Sequence, residues 1–105
     1  MKKFISNEDF DQVVQAGEPF FLLKHSSTCP ISAAAYEEYE KFADEYAHTY
    51  YLVVQEARPL SNYVAEKFQI RHESPQAFFF KNGEVAWQAS HWKITSDSLK
   101  SAAKE

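Results

Sequence analysis

Short apolar runs alternate along the chain with longer stretches of mixed polarity. Residues 19–25 and 49–55 are continuous apolar runs of the kind that predicts strands buried on both faces. Between them, residues 30–48 carry aromatic and apolar side chains at helical spacing, with acidic side chains mostly on the opposite face. Two strands joined through a helix are expected to be parallel, with a right-handed crossover.

Further helices are predicted before and after this unit. Residues 6–16 have a polar cap and acidic side chains at their start, followed by apolar positions on one face. Another helix begins at Arg58–Pro59, because proline suits the first helical turn. A last helix is expected over about 95–104, and a short strand over 3–5.

The clearest turn signal lies in the second half of the chain. Residues 76–81 and 84–89 are strand-like and flank Asn82–Gly83, a pair typical of tight hairpins. The element order predicts an α/β fold: a mixed four- to five-stranded sheet, helices on both faces and a C-terminal antiparallel hairpin. At 105 residues, we expect one domain spanning 1–105.

Composition narrows the possible partners. The net charge is −4 and no Lys/Arg cluster occurs, so a nucleic-acid partner is not expected. No apolar run of about 18 residues is present, so no membrane span is expected. The N-terminus lacks the apolar segment of a signal peptide, which favours a cytoplasmic location. One cysteine and four histidines without ligand spacing predict no metal site.

Cys29, the single cysteine, is the main chemical candidate. It follows a predicted strand, and Pro30 behind it suits the first position of a helix, so Cys29 is expected at the N-cap. We expect its sulfur to face the free N–H groups of Ile31 and Ser32, which favour the reactive thiolate. Without a second cysteine, any thiol chemistry needs an external partner.

The alternative interpretation of Cys29 is a buried structural thiol, which is common for a lone cysteine. Polar residues on one side and Pro30 on the other favour a reactive thiol here. Ser32, three residues later, is expected within hydrogen-bond reach of the sulfur, although it could equally serve only to cap the helix. Since Ser32 cannot form a disulfide, a mixed disulfide on Cys29 would wait for an outside thiol.

Pro75 stands just before the strand that contains three consecutive phenylalanines. Proline is acceptable at the first position of a strand. From the residues alone, an ordinary trans bond after Ser74 is the simpler expectation, because cis is the minority form of X–Pro bonds.

Taken together, these motifs resemble the thioredoxin superfamily over about residues 19–90. The matching features are the Cys29-to-Ser32 motif after a buried strand, Ser74–Pro75, and the phenylalanine-rich strand with its Asn–Gly turn. Within that superfamily, residues 24–32 and 71–76 closely resemble the monothiol bacilliredoxins of the general-stress type. Bacteria with these proteins use bacillithiol in place of glutathione.

The resemblance implies a thioredoxin fold and a role in the stress response. Cys29 would attack the mixed disulfide between a protein and bacillithiol, and carry the bacillithiol away on its own sulfur. Bacillithiol is then a co-substrate, no cofactor is bound, and the partners are S-thiolated proteins and a low-molecular-weight thiol. Pro75 would be a cis proline facing Cys29, and the backbone of Ser74 would pair with the substrate. Thr28, Pro30 and Ile31 would complete the substrate-binding surface.

Some positions depart from the common thioredoxin pattern. Ser32 and Thr28 replace the second cysteine and the preceding tryptophan, and Leu23 stands where a buried acid is usual. Ordinary dithiol thioredoxin activity is therefore not implied. Monothiol glutaredoxins that bind iron–sulfur clusters usually carry Gly-Phe where this chain has Pro30–Ile31, so cluster binding is not implied either.

Two histidines are possible accessory residues. His25, four residues before Cys29, could relay a proton or contact an anion, although a plain strand-end histidine is the simpler interpretation. His72 could form the rim of the Pro75 loop. The malate carboxylate of bacillithiol could be held by backbone N–H groups or by Lys24, Arg71 or His25, and the sequence does not choose among these.

The leading hypothesis is therefore a monothiol thiol-disulfide oxidoreductase. The second hypothesis is a non-catalytic thioredoxin-like domain for protein interaction or redox sensing, which would retain its partners without Cys29. A Cys–His hydrolase is disfavoured because no orienting third group or oxyanion motif accompanies Cys29.

Overall fold

The computed structural model describes residues 1–104, which form a five-stranded mixed sheet and four helices. The strands are β1 Lys2–Lys3, β2 Phe20–His25, β3 Thr49–Val53, β4 Gln76–Lys81 and β5 Glu84–Ser90. The helices are α1 Asn7–Ala16, α2 Pro30–Ala43, α3 Arg58–Phe68 and α4 Ser96–Ala103, with a 3-10 turn at His91–Lys93.

The strand order is β1-β3-β2-β4-β5. Strands β1, β3 and β2 are parallel, whereas β4 is antiparallel to β2 and β5 is antiparallel to β4. This arrangement confirms the predicted α/β class and the C-terminal hairpin. None of the helices within residues 1–104 is long and apolar enough to span a bilayer.

Three predicted elements differ from the structure by two residues or more at one end, whereas the other bounds differ by at most one residue. The first strand lies at Lys2–Lys3 and not at 3–5, because the Ile5 N–H is already bonded to the Asp9 carboxylate in the cap of α1. The helix predicted over 30–48 ends at Ala43, where bonds from Asp44 and Glu45 to Glu40 and Phe42 tighten the last turn. The strand predicted over 49–55 stops at Val53.

Two aromatic-rich layers cover the faces of the sheet. On one face, α1 and α3 pack over alternate strand residues, including Phe20, Leu22 and Phe80. On the other face, α2 and α4 pack over the intervening residues, including Phe21 and Phe79, whose rings stack at 4.3 Å. Burial of large aromatic side chains on both faces explains how so short a chain builds a stable core.

The sheet topology also fixes where polar chemistry can collect. Strand β2 ends where its antiparallel neighbour β4 begins, with Lys24 opposite Gln76, so both strands have these residues at the same end of the sheet. The segment that leads into α2 and the loop that ends at Pro75 therefore lie side by side. The candidate site lies at this end of the sheet.

Candidate active site

Cys29 occupies the N-cap of α2, as the position of Pro30 predicted. Its backbone is extended (φ −107°, ψ 122°), and its carbonyl accepts the first helical bond from the Ala33 N–H at 3.0 Å. The thiol is partly exposed. The sulfur makes no capping hydrogen bond to the helix N–H groups that it was predicted to face. As the N-cap residue, Cys29 lies at the positive end of the α2 dipole.

Ser32 is fully buried, and its hydroxyl serves the strand end and not the sulfur. Ser32 Oγ lies 2.8 Å from His25 Nδ1 and accepts a 2.8 Å bond from the Ser26 N–H. The expected hydrogen bond to Cys29 is therefore not observed. The hydroxyl instead joins the first turn of α2 to the end of β2, directly beneath the segment that carries Cys29.

His25 is more than a plain strand-end histidine. Its ring lies 4.7 Å from the Tyr36 ring and bonds to Ser32 through Nδ1. Burial lowers the pKa of His25, and the bond to Ser32 opposes that shift. The imidazole is thus neutral near neutral pH, and its tautomer decides whether Ser32 donates its hydroxyl proton to His25 or keeps it available.

Gln55 holds residues 26–28, the segment that precedes Cys29, by three hydrogen bonds, a role that the sequence pattern did not predict. Its amide nitrogen donates to Ser26 Oγ at 2.8 Å and to Thr28 Oγ1 at 3.4 Å. Its amide oxygen accepts the Ser27 N–H at 3.1 Å. The prediction assigned Gln55 to a strand, so nothing in the pattern indicated that the chain turns there toward the cysteine.

The second wall of the site is the loop that ends at Pro75. The Ser74–Pro75 bond is cis, as the resemblance implied. Pro75 is buried, and its carbonyl accepts the His91 N–H at 3.1 Å. Gln76 braces the loop from below by donating to the Arg71 carbonyl and accepting the Glu73 N–H. Among the remaining predicted substrate-binding residues, Thr28 and Pro30 are exposed and Ile31 is half-buried.

Lys24 is the second residue whose role the sequence did not reveal. It is fully buried, and its Nζ donates to the Ser61 carbonyl at 2.9 Å and contacts His72 Nδ1 at 3.2 Å. Burial lowers the pKa of Lys24 from 10.5 to about 8. His72, predicted as a rim residue, is exposed overall but turns Nδ1 inward to Lys24 and to Ser61 Oγ.

No second ligand site is indicated by metal-ligating side chains or by a cavity near Cys29 within residues 1–104. Within residues 1–104, no group of three His, Cys, Asp or Glu side chains is arranged to hold a metal ion. A surface cavity of about 290 Å³ lies at the far end of α2, between Phe42, Tyr46 and Lys100. It is remote from Cys29, which begins the same helix.

The sheet has the topology of the thioredoxin fold, and its N-cap cysteine lies at the same end of the sheet as the cis Ser74–Pro75 bond, an arrangement typical of thiol oxidoreductases. One solved structure, provisionally described as an oxidoreductase with a thioredoxin fold, shares 47% identity with a TM-score of 0.91, over 96% of this chain and 91% of its own. Two thioredoxins share the fold alone. That of Fasciola hepatica is 15% identical with a TM-score of 0.79, over 99% of this chain and 97% of its own. That of Plasmodium falciparum is 20% identical with a TM-score of 0.77, over 99% and 98%.

The family can be stated more closely. The model of the monothiol bacilliredoxin BrxC family matches residues 2–99. The chain therefore belongs to the monothiol bacilliredoxin family, which confirms the resemblance inferred from its active-site motif.

Proposed function

We propose that this protein removes bacillithiol from S-thiolated proteins through Cys29. Membership of the monothiol bacilliredoxin family supports this assignment, and the single observation that carries it is the partly exposed cysteine at the N-cap of α2. A sulfur that is partly exposed at the start of a helix can be reached by a partner disulfide.

The proposed step is a thiol–disulfide exchange. The Cys29 thiolate attacks the bacillithiol sulfur of a protein–bacillithiol disulfide, a new sulfur–sulfur bond forms, and the old one breaks. The electron pair of the broken bond leaves with the substrate protein's thiolate, which is released reduced. Since Ser32 carries no thiol, the bacillithiol stays on Cys29 until an external low-molecular-weight thiol attacks it and regenerates the thiolate.

Substrate binding is proposed on the loop that ends at Pro75. Among residues 1–104, no hydrogen bond uses the backbone N–H or C=O of Ser74, so both are open to a partner. An extended substrate segment could pair with them as an added strand. Thr28, Pro30 and Ile31 would contact the substrate from the other side of Cys29, where they are exposed or half-buried.

Ser32 is proposed to act indirectly, because its hydroxyl already accepts the Ser26 N–H. When His25 Nδ1 carries a proton, it can donate to Ser32, and the hydroxyl hydrogen of Ser32 is released. Ser32 would then act on Cys29 by holding the first turn of α2 against the end of β2, since no hydrogen bond joins its hydroxyl to the sulfur.

The experiment uses a model protein carrying one S-bacillithiolated cysteine. Intact-mass spectrometry after mixing should show the bacillithiol mass moving from the model protein to Cys29, and added bacillithiol should then restore the free enzyme. The variant Cys29→Ser should accept nothing.

A different result would select the alternative. If the wild-type chain binds the model protein but gains no mass, and Cys29→Ala binds it equally well, the protein is an interaction domain and the proposed exchange is wrong. If mass transfers from glutathionylated but not from bacillithiolated protein, only the identity of the thiol is wrong.

A further inference from the structure

A buried charge near the site has no part in the exchange step. Lys24 is fully buried, and the acceptors around its Nζ are the Ser61 carbonyl and His72 Nδ1. Among residues 1–104, no carboxylate lies within ion-pair distance of this ammonium group. Buried cations are normally paired because their removal from water is costly. The described side chains therefore supply no opposite charge to Lys24, whose partners are two neutral acceptors and the Phe78 ring, 5.7 Å from Nζ.

Lys24 also fixes the proton position on the neighbouring imidazole. A protonated lysine offers three N–H donors and no acceptor, so His72 Nδ1 must accept from it. The proton of the neutral ring is then on Nε2. Burial lowers the pKa of His72, and the charges of Lys24 and Arg58 add to this effect against Glu73. No hydrogen bond to His72 Nε2 is found within residues 1–104, so this donor is open.

The cluster lies beside the substrate loop. Lys24 lies opposite Gln76 in the β2–β4 pair, and Gln76 is the residue directly after Pro75. His72 belongs to the same loop, and Arg58 is exposed at the first position of α3. In a chain with a net charge of −4, these groups create a local positive potential on one flank of the site.

We propose that His72 and Arg58, supported by the buried charge of Lys24, bind a carboxylate of the low-molecular-weight thiol that reacts at Cys29. This inference rests on the proposed function, and bacillithiol, with its malate carboxylate group, has the required chemistry. The His72 Nε2–H donates to the carboxylate, and the Arg58 guanidinium neutralises it. Lys24 is a positioning residue, because it acts through His72 and does not touch the ligand.

The test compares two small disulfides in the intact protein. Bacillithiol disulfide carries carboxylates, whereas bis(2-hydroxyethyl) disulfide carries none. The measured quantity is the rate at which Cys29 forms a mixed disulfide, followed by intact-mass spectrometry. His72→Phe and Arg58→Gln should each slow the reaction with bacillithiol disulfide by about tenfold, the size of one charge-assisted hydrogen bond, and leave the uncharged probe unaffected.

Two further variants complete the design. His48→Phe is the matched control. His48 is an exposed histidine that comes just before the first residue of β3, at the opposite end of the sheet from the candidate site. This substitution should change neither rate. Lys24→Met should slow only the carboxylate probe, and nitrogen-15 NMR of the His72 ring should show loss of the pure Nε2–H tautomer. A merely structural role for Lys24 would leave that tautomer signal in place.

The outcomes separate the two proposals. Equal slowing of both probes in His72→Phe and Arg58→Gln, or no slowing of either, overturns the carboxylate subsite while the exchange chemistry stands. A wild-type chain that forms no adduct with either probe contradicts the proposed function itself. If Lys24→Met does not fold, the two surface variants still decide the question.

Discussion

Lys24 and His25 are neighbours in β2, yet they serve opposite faces of the sheet. Because strand side chains alternate, His25 reaches Ser32 under the start of α2, whereas Lys24 reaches Ser61 and His72 under α3. One side uses a neutral hydrogen-bond chain and the other a buried charge. A single strand end thus positions the segments on both sides of Cys29 by different physical means.

The largest expected effect concerns the charged side. The fall in the pKa of Lys24 from 10.5 to about 8 means that the charged form destabilises the folded state by about 3 kcal/mol. Between those two pH values the unfolded chain binds more protons, so stability rises with pH. Relative to Lys24→Met, the wild-type protein should gain about 3 kcal/mol from pH 8 to pH 10.5. Urea denaturation at a series of pH values measures this, and parallel curves would show that Lys24 is not desolvated.

The neutral side should respond mainly to loss of the Ser32 hydroxyl. Ser32→Ala leaves the partly buried Ser26 N–H and His25 Nδ1 without their partner, which should cost about 2 kcal/mol. Chemical denaturation near neutral pH measures the loss. Ser32→Thr, which keeps the hydroxyl, is the control, and equal destabilisation by both variants would indicate a packing effect only.

A smaller effect is expected from His25 itself. Burial lowers its pKa, so the unfolded chain binds more protons just below its ordinary value of 6.5, and protonation in acid destabilises the folded state. Relative to His25→Asn, wild-type stability should fall as the pH drops below 6.5, and be constant above it. Thermal unfolding from pH 7 to pH 5 measures the difference. A wild-type chain that gained stability in acid would reverse the sign and refute the assignment.

The smallest effect should come from Gln55, which holds residues 26–28 in front of Cys29. It is exposed, so Gln55→Ala should cost less than about 1 kcal/mol of global stability. Its three hydrogen bonds to residues 26–28 would be lost, however, so the Ser27 amide should exchange with deuterium faster. Hydrogen exchange by NMR detects this, with Gln12→Ala as an exposed control elsewhere. Unchanged exchange would show that the segment is held by other contacts.

What could be foreseen from the sequence was local. The N-cap position of Cys29 followed from Pro30 behind it, and the hairpin followed from Asn82–Gly83, because each depends on adjacent residues. The cis bond at Pro75 came from the family resemblance and not from the chemistry of the residues.

The remaining features of the site depend on tertiary contacts. Ser32 bonds to His25 and Ser26, and Lys24 bonds to Ser61 and His72, only because the sheet brings distant segments together. Hydrophobic periodicity carries no record of such pairs. It also placed Lys24 in a buried strand without indicating what its ammonium group would meet there.

The outer strands of the sheet have a consequence for how copies of the chain meet. At one edge, β1 consists of two exposed lysines, a short and repulsive partner for another strand. At the other edge, β5 is interrupted where Phe79 and Phe80 face Trp87 and Val85, so an extra residue bends the strand. The two edge strands thus discourage intermolecular sheet growth by their own residues.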